Sequence, residues 1–87
     1  MNDFTFTNEA FAQYMEWQQT DKKTLKRINK LLKDIHVNGA MKGIGKPEKL
    51  KNRPEYSRRI DDFNRLVYVV DELHNIRLIA CKGHYED

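Results

Sequence analysis

Arg65-Leu-Val-Tyr-Val-Val70, Asp71-Glu-Leu-His-Asn75 and Ile76-Arg-Leu-Ile-Ala-Cys-Lys82 decide the fold. The first run is almost continuously apolar and rich in β-branched and aromatic residues. That is the composition of a central strand covered on both faces. The mostly polar residues 71–75 predict a turn, and 76–82 predict the strand that returns. Upstream, Tyr56 to Asp61 has the character of a further strand. Residues 56–82 therefore predict a three-stranded antiparallel meander.

Before the meander lies a loop-rich stretch, 39–54, holding three of the four glycines and both prolines. Before that, Leu25, Ile28, Leu31, Leu32 and Ile35 recur at helical spacing, with Lys22, Lys23, Lys26, Arg27, Lys30 and Lys33 around them. This predicts an amphipathic helix ending at Asn38-Gly39. Thr20-Asp21 separates it from an aromatic-rich helix whose spacing puts Phe11, Tyr14, Met15 and Gln18 on one stripe, with Ala10 and Trp17 beside it. Thr7 or Asn8 can cap that helix. Asp3-Phe-Thr-Phe-Thr7 alternates polar and apolar and predicts a short strand. The expected architecture is α+β: an N-terminal strand, a two-helix hairpin and the meander. The helices pack on one face of a four-stranded sheet.

At 87 residues the chain is expected to form one domain, residues 1–87, with a thin stability margin of its own. One cysteine excludes an intramolecular disulfide and fits a reducing cytosol. The sequence offers neither a signal-peptide run nor a membrane span, so a cytoplasmic protein without a membrane partner is expected. The net charge of +3 hides an asymmetry. Residues 21–59 carry 13 Lys or Arg against four acids, a net of +9, while the segments on either side are acidic. Such a block points to a polyanion, with nucleic acid the commonest.

Four clusters can carry chemistry: Gly45-Lys-Pro-Glu-Lys-Leu-Lys51, Ser57-Arg-Arg-Ile60, Asn64-Arg-Leu66 and Lys82-Gly-His-Tyr85. Taken singly, each has a plainer reading. Glu48 can be a loop carboxylate paired with a lysine. One of Arg58 and Arg59, which alternate sides of a strand, can point to solvent. Arg65 can cap a strand end, and His84 stands near the end of the sequence. Taken together they suit RNA cleavage. RNA carries its own nucleophile, the 2′-hydroxyl. Cleavage needs a base for that proton, an acid for the leaving 5′-oxygen and cations for the charge growing on phosphorus. Glu48 and His84 can serve as the acid–base pair. Arg59 and Arg65 suit phosphate oxygens. No metal or other cofactor is expected: His36, His74 and His84 are dispersed and Cys81 lacks a ligand motif. His36 reads as a helix C-terminal residue, His74 as solvated and Cys81 as a buried small hydrophobe.

Tyr14-Met-Glu-Trp-Gln18, Asp21 to Asn29, Gly45-Lys-Pro-Glu48, Ser57-Arg-Arg-Ile60, Asn64-Arg-Leu-Val-Tyr68 and His84-Tyr85 resemble the YoeB (Txe) toxins of bacterial toxin–antitoxin modules, within the RelE-like group. The resemblance runs from about Phe4 to Tyr85. It implies a RelE-like, microbial-RNase-like fold and an mRNA interferase that cuts the codon in the A site of the 70S ribosome. The implied products are a 2′,3′-cyclic phosphate or 3′-phosphate and a 5′-hydroxyl. It also implies roles: Glu48 as general base, His84 as general acid, and Arg59 and Arg65 as phosphate-binding arginines, with Arg65 stabilising the transition state. Lys51 matches a lysine near the site and Tyr85 a terminal tyrosine. With them, Lys46 and Arg58 are expected to bind substrate. A YefM-like antitoxin and a homodimer are the implied protein partners. Departures from the pattern are Lys49, Tyr56, a short 52–55 segment and the acidic Glu86-Asp87 extension. The alternatives are a ParE-type toxin that poisons gyrase, and an RNA- or ribosome-binding module without chemistry.

Overall fold

The computed structural model describes residues 3–84. Thr7 starts the first helix by accepting the Ala10 N–H on its side-chain oxygen at 3.0 Å. Its place follows from a short strand, β1 (Phe4–Phe6), which it terminates. Helix α1 (Asn8–Thr20) ends where Asp21 donates its N–H to the Trp17 carbonyl. The same Asp21 then caps helix α2 (Lys22–Asn38), accepting the Thr24 N–H at 3.1 Å. One residue thus closes one helix and opens the next, and the two run as a hairpin. Gly39, at φ +90°, ends α2 in a conformation that suits a residue without Cβ.

Five strands form one sheet in the order β1-β5-β4-β3-β2: β2 (Glu48–Lys49), β3 (Tyr56–Arg59), β4 (Arg65–Val70) and β5 (Ile76–Ala80), besides β1. The meander is antiparallel as expected, and β1 joins its β5 edge in parallel. The sheet has one strand more than the four expected. Glu48 and Lys49, read as loop, pair with Ser57 and Tyr56. Two residues are too few for an alternating pattern to show in the sequence. Strand β3 ends at Arg59 and β5 at Ala80, slightly short of their expected bounds.

Helix α2 buries Ile28, Leu31 and Ile35 against Leu66, Tyr68, Ile76 and Leu78 of the sheet, as its spacing predicts. Helix α1 is rotated from its expected docking. Phe11 is 56% exposed and Met15 38%, while Ala10 is fully buried and Tyr14 and Trp17 are half-buried. The docking stripe is Ala10, Tyr14 and Trp17. Alanine at the closest approach lets the helix sit tight on the sheet, an advantage that counting large apolar residues misses. On the other face, Val67, Leu50 and Ala80 form a second small cluster.

Strand β5 is irregular at its far end. Val67 pairs with Ala80 and its neighbour Tyr68 with Leu78, so β5 carries one extra residue, Ile79, at a bulge. A bulge reverses the inward–outward alternation beyond it. Cys81 therefore faces the helices beside Ala10, and the chain after it leaves the sheet in a new frame.

Candidate active site

The face of β3 opposite the helices carries Ser57 and Arg59, because Tyr56 and Arg58 take the helical side. Register places Glu48 beside Ser57, Ser57 beside Val67, and Arg59 beside Arg65. Glu48, Ser57, Arg59 and Arg65 thus share the open face at one end of the sheet. Arg65 Nη1 lies 3.4 Å from Glu48 Oε1 and 3.5 Å from Ser57 Oγ. The side chain of Arg65 is 18% exposed and that of Glu48 54%. The ion pair is longer than the ~2.7–2.9 Å of a tight charge-assisted bond, and it is open to water on the carboxylate side.

Arg59 and Arg65 stand directly opposite each other across an antiparallel pair. Like charges so placed repel at Cβ separations of ~4.5–5.5 Å. One carboxylate at 3.4 Å offsets only part of that. The site carries a surplus of positive charge aimed at solvent, an arrangement that a phosphate relieves.

His84 is exposed and follows Gly83, whose carbonyl accepts the Arg65 N–H at 3.0 Å. The backbone thereby brings the C-terminal segment to the Arg65 end of β4. Lys51 is exposed and next to Leu50, whose 2% exposure anchors the segment in the second apolar cluster. Lys46 is exposed at φ +50°, one residue after Gly45, whose carbonyl accepts the Arg59 N–H at 2.6 Å. Tyr85 lies outside the described residues.

Arg58 overturns its expectation. It is completely buried on the helical side and cannot reach a substrate. All five of its N–H donors are used. Nε donates to Tyr68 Oη at 3.0 Å, Nη1 to Asp34 Oδ2 and to the Ile44 carbonyl, and Nη2 to the carbonyls of Gly39 and Lys42 at 2.7 and 2.8 Å. Tyr68 Oη in turn donates to the Ala40 carbonyl at 2.6 Å. Arg58 is the staple of the 39–44 loop, the segment that delivers Gly45 and Glu48. Gly43 has to be glycine there, since a Cβ would stand 1.8 Å from Asp34 Oδ2. The Arg58 guanidinium holds the Asp34 carboxyl below its usual range, and burial pushes the Tyr68 phenol up.

Two residues of the site escape a reading of the sequence. Ser57 is buried and reaches Arg65, and the Asn64 side chain binds Gly83 at 2.8 Å. Both stand inside clusters already singled out, but a serine or asparagine next to arginines carries no signal of its own. Cys81 is no nucleophile: burial raises its thiol to about 11. Among the described residues no group of three or more His, Cys, Asp or Glu could hold a metal ion, and no helix is long and apolar enough to cross a membrane.

Residues 6–85 match the family model described as the YoeB-like toxin of bacterial type II toxin–antitoxin systems. Toxin YoeB of Synechocystis sp. is 46% identical over 83 residues, covering 93% of this chain and 94% of the relative. The YoeB dimer from Staphylococcus aureus superposes with a TM-score of 0.89 at 52% identity, over 97% of this chain and 98% of that one. The heterotetrameric YoeB–YefM toxin–antitoxin complex from Staphylococcus aureus gives 0.88 at 52% identity, over 98% and 99%. Glu48, Ser57, Arg59, Arg65 and His84 all fall within the matched span, and the chain belongs to the YoeB toxin family of type II toxin–antitoxin systems.

Proposed function

We propose that this toxin is a ribosome-dependent endoribonuclease that cuts mRNA in the A site by metal-free acid–base chemistry. The observation that carries the reading is the Arg59–Arg65 pair opposed on one open face, with the Glu48 carboxylate 3.4 Å from Arg65. The scissile phosphate sits on the two guanidiniums and displaces the loose Glu48 contact. Freed toward the ribose, Glu48 takes the 2′-hydroxyl proton. The 2′-oxygen bonds to phosphorus while Arg59 and Arg65 stabilise the added negative charge. The P–O5′ bond breaks as His84 gives its proton to the 5′-oxygen. The products are a 2′,3′-cyclic phosphate, which hydrolyses to a 3′-phosphate, and a 5′-hydroxyl. Lys46 and Lys51 serve as further substrate contacts, and the family resemblance adds Tyr85.

The basic face of α2 suits ribosomal RNA, which supplies the ribosome dependence and places the action in the cytoplasm. A YefM-like antitoxin is the protein partner, and self-association into a dimer accompanies it; both readings rest on the Staphylococcus aureus relatives. The test is primer extension on a translated message with and without ribosomes. Cleavage within the A-site codon, abolished by His84→Gln, supports the reading. Growth arrest with intact mRNA and broken chromosomal DNA would favour gyrase poisoning instead.

A further inference from the structure

The three residues before His84 are firmly held. Residues 81–83 are gripped from both sides. On one side, α1 holds Cys81 through both backbone atoms: its N–H donates to Gln13 Oε1 at 2.7 Å, and its carbonyl accepts from Trp17 Nε1 at 2.8 Å. Lys82 Nζ pairs with Glu16 at 2.6 Å. On the other side, the Gly83 N–H donates to Asn64 Oδ1 at 2.8 Å, and the Gly83 carbonyl accepts the Arg65 N–H at 3.0 Å. The two bonds from adjacent residues, 64 and 65, take hold of both polar groups of Gly83. They fix its orientation as well as its position.

Asn64 is itself aimed. Its Nδ2 donates to both carboxylate oxygens of Asp61 at 3.1 Å, and Asp61 Oδ1 also accepts the backbone N–H groups of Phe63 and Asn64 at 2.8 Å. Only one way round of the amide then leaves Oδ1 toward Gly83. Gly83 takes φ +94° with open space where a Cβ would be. The backbone conformation itself, and no crowding, requires glycine at that point.

We propose that Asn64 is a positioning residue for His84: through Gly83 it registers the imidazole against Arg65, the residue next to it in the chain. The inference rests on the ribonuclease reading, in which His84 protonates the 5′-oxygen. Asn64 touches neither substrate nor reacting atoms. Gly83 is exposed, so its N–H finds water when Asn64 is shortened. The fold should survive, and the loss should fall on proton delivery alone.

A leaving group that needs no proton separates this role from a structural one. Single-turnover cleavage on ribosomes with a programmed A site is measured for the wild type, His84→Gln, Asn64→Ala and Gly83→Ala. Two messages are used, one with the natural phosphodiester and one with sulfur in place of the scissile 5′-oxygen. On the oxygen message, Asn64→Ala and Gly83→Ala should be slower by on the order of 10–100-fold, the cost of a misplaced group. His84→Gln should lose ~10²–10⁴-fold. On the sulfur message all three variants should return close to the wild-type rate, and Asn64→Ala should melt within a few degrees of wild type. If His84→Gln recovers on sulfur while Asn64→Ala and Gly83→Ala stay slow, or if they lose nothing on oxygen, the positioning role is wrong and the acid assignment stands. If His84→Gln does not recover, the acid assignment falls and takes the inference with it. No cleavage by the wild type would overturn the ribonuclease reading itself.

Discussion

Replacing Arg58 by methionine should cost this protein more stability than any single change on its open face. The side chain is fully buried and spends five donors on one phenol, one carboxylate and three loop carbonyls. Methionine fills much of the volume but leaves Asp34, only 16% exposed, without its cation. Breaking a buried pair by removing one partner costs ~3–5 kcal/mol, and this pair is fully buried only on the arginine side. The lower end applies, because Lys42 and Gly43 are exposed and the loop can lift to rehydrate its carbonyls. A chain of this length has a total stability of ~4–13 kcal/mol, so ~3 kcal/mol is a large share. With a urea slope of ~1 kcal/mol per molar, the unfolding midpoint should fall by about 3 M. Adding Asp34→Asn should recover part of the loss, since it removes the charge left without its cation. The pH dependence comes from the direction of the Asp34 shift. Its folded pKa lies below the unfolded one, so its stabilisation is present above the ordinary carboxylate range and is lost as pH falls through the depressed folded value. Arg58→Met should weaken that acid limb, leaving what the Asn38 and Ile44 donors to Asp34 sustain. A midpoint within a few tenths molar of wild type would refute the staple.

Glu48→Gln should slow cleavage by ~10²–10⁴-fold in single turnover, the usual worth of a general base, while leaving urea stability unchanged. Arg65→Lys keeps the charge but loses the planar guanidinium whose Nη1 faces Glu48 and Ser57, and if Arg65 holds the phosphate as proposed it should cost ~10²-fold in the same assay. Phe11→Ser should shift the stability of the isolated chain by no more than ~0.5 kcal/mol because the ring is largely exposed. Leu31→Ala, in contrast, should cost ~2–5 kcal/mol by calorimetry. Binding to vacant ribosomes should weaken steeply with salt, each phosphate contact of α2 releasing counterions; a flat response would show a merely solvated lysine face.

The amphipathic period of α2 and the apolar run of β4 were legible in the sequence because each repeats over enough residues to show. The two-residue β2, the bulge at Ile79 and the rotation of α1 were not. Each depends on a contact with a distant partner: Ser57 for Glu48, Tyr68 for Leu78, the sheet surface for Ala10. The candidate site residues were chosen by type and family resemblance, yet residue type could not separate Arg58 from Arg59. Strand alternation implied that the two neighbours face opposite ways. Only the position of α2 decided which one was buried against Asp34 and which was left exposed on the open face. Asn64 stayed silent for a similar reason, since its work is done through one backbone amide 19 residues along the chain.

In the proposed reaction RNA supplies the nucleophile, and the open face of the sheet with His84 supplies the rest. A message carrying a single 2′-deoxynucleotide at the cleaved position of the A-site codon removes that nucleophile and nothing else. The ribosome-bound toxin should leave this message intact while cutting the all-ribose control. Cleavage of the deoxy message at the same bond would contradict the mechanism.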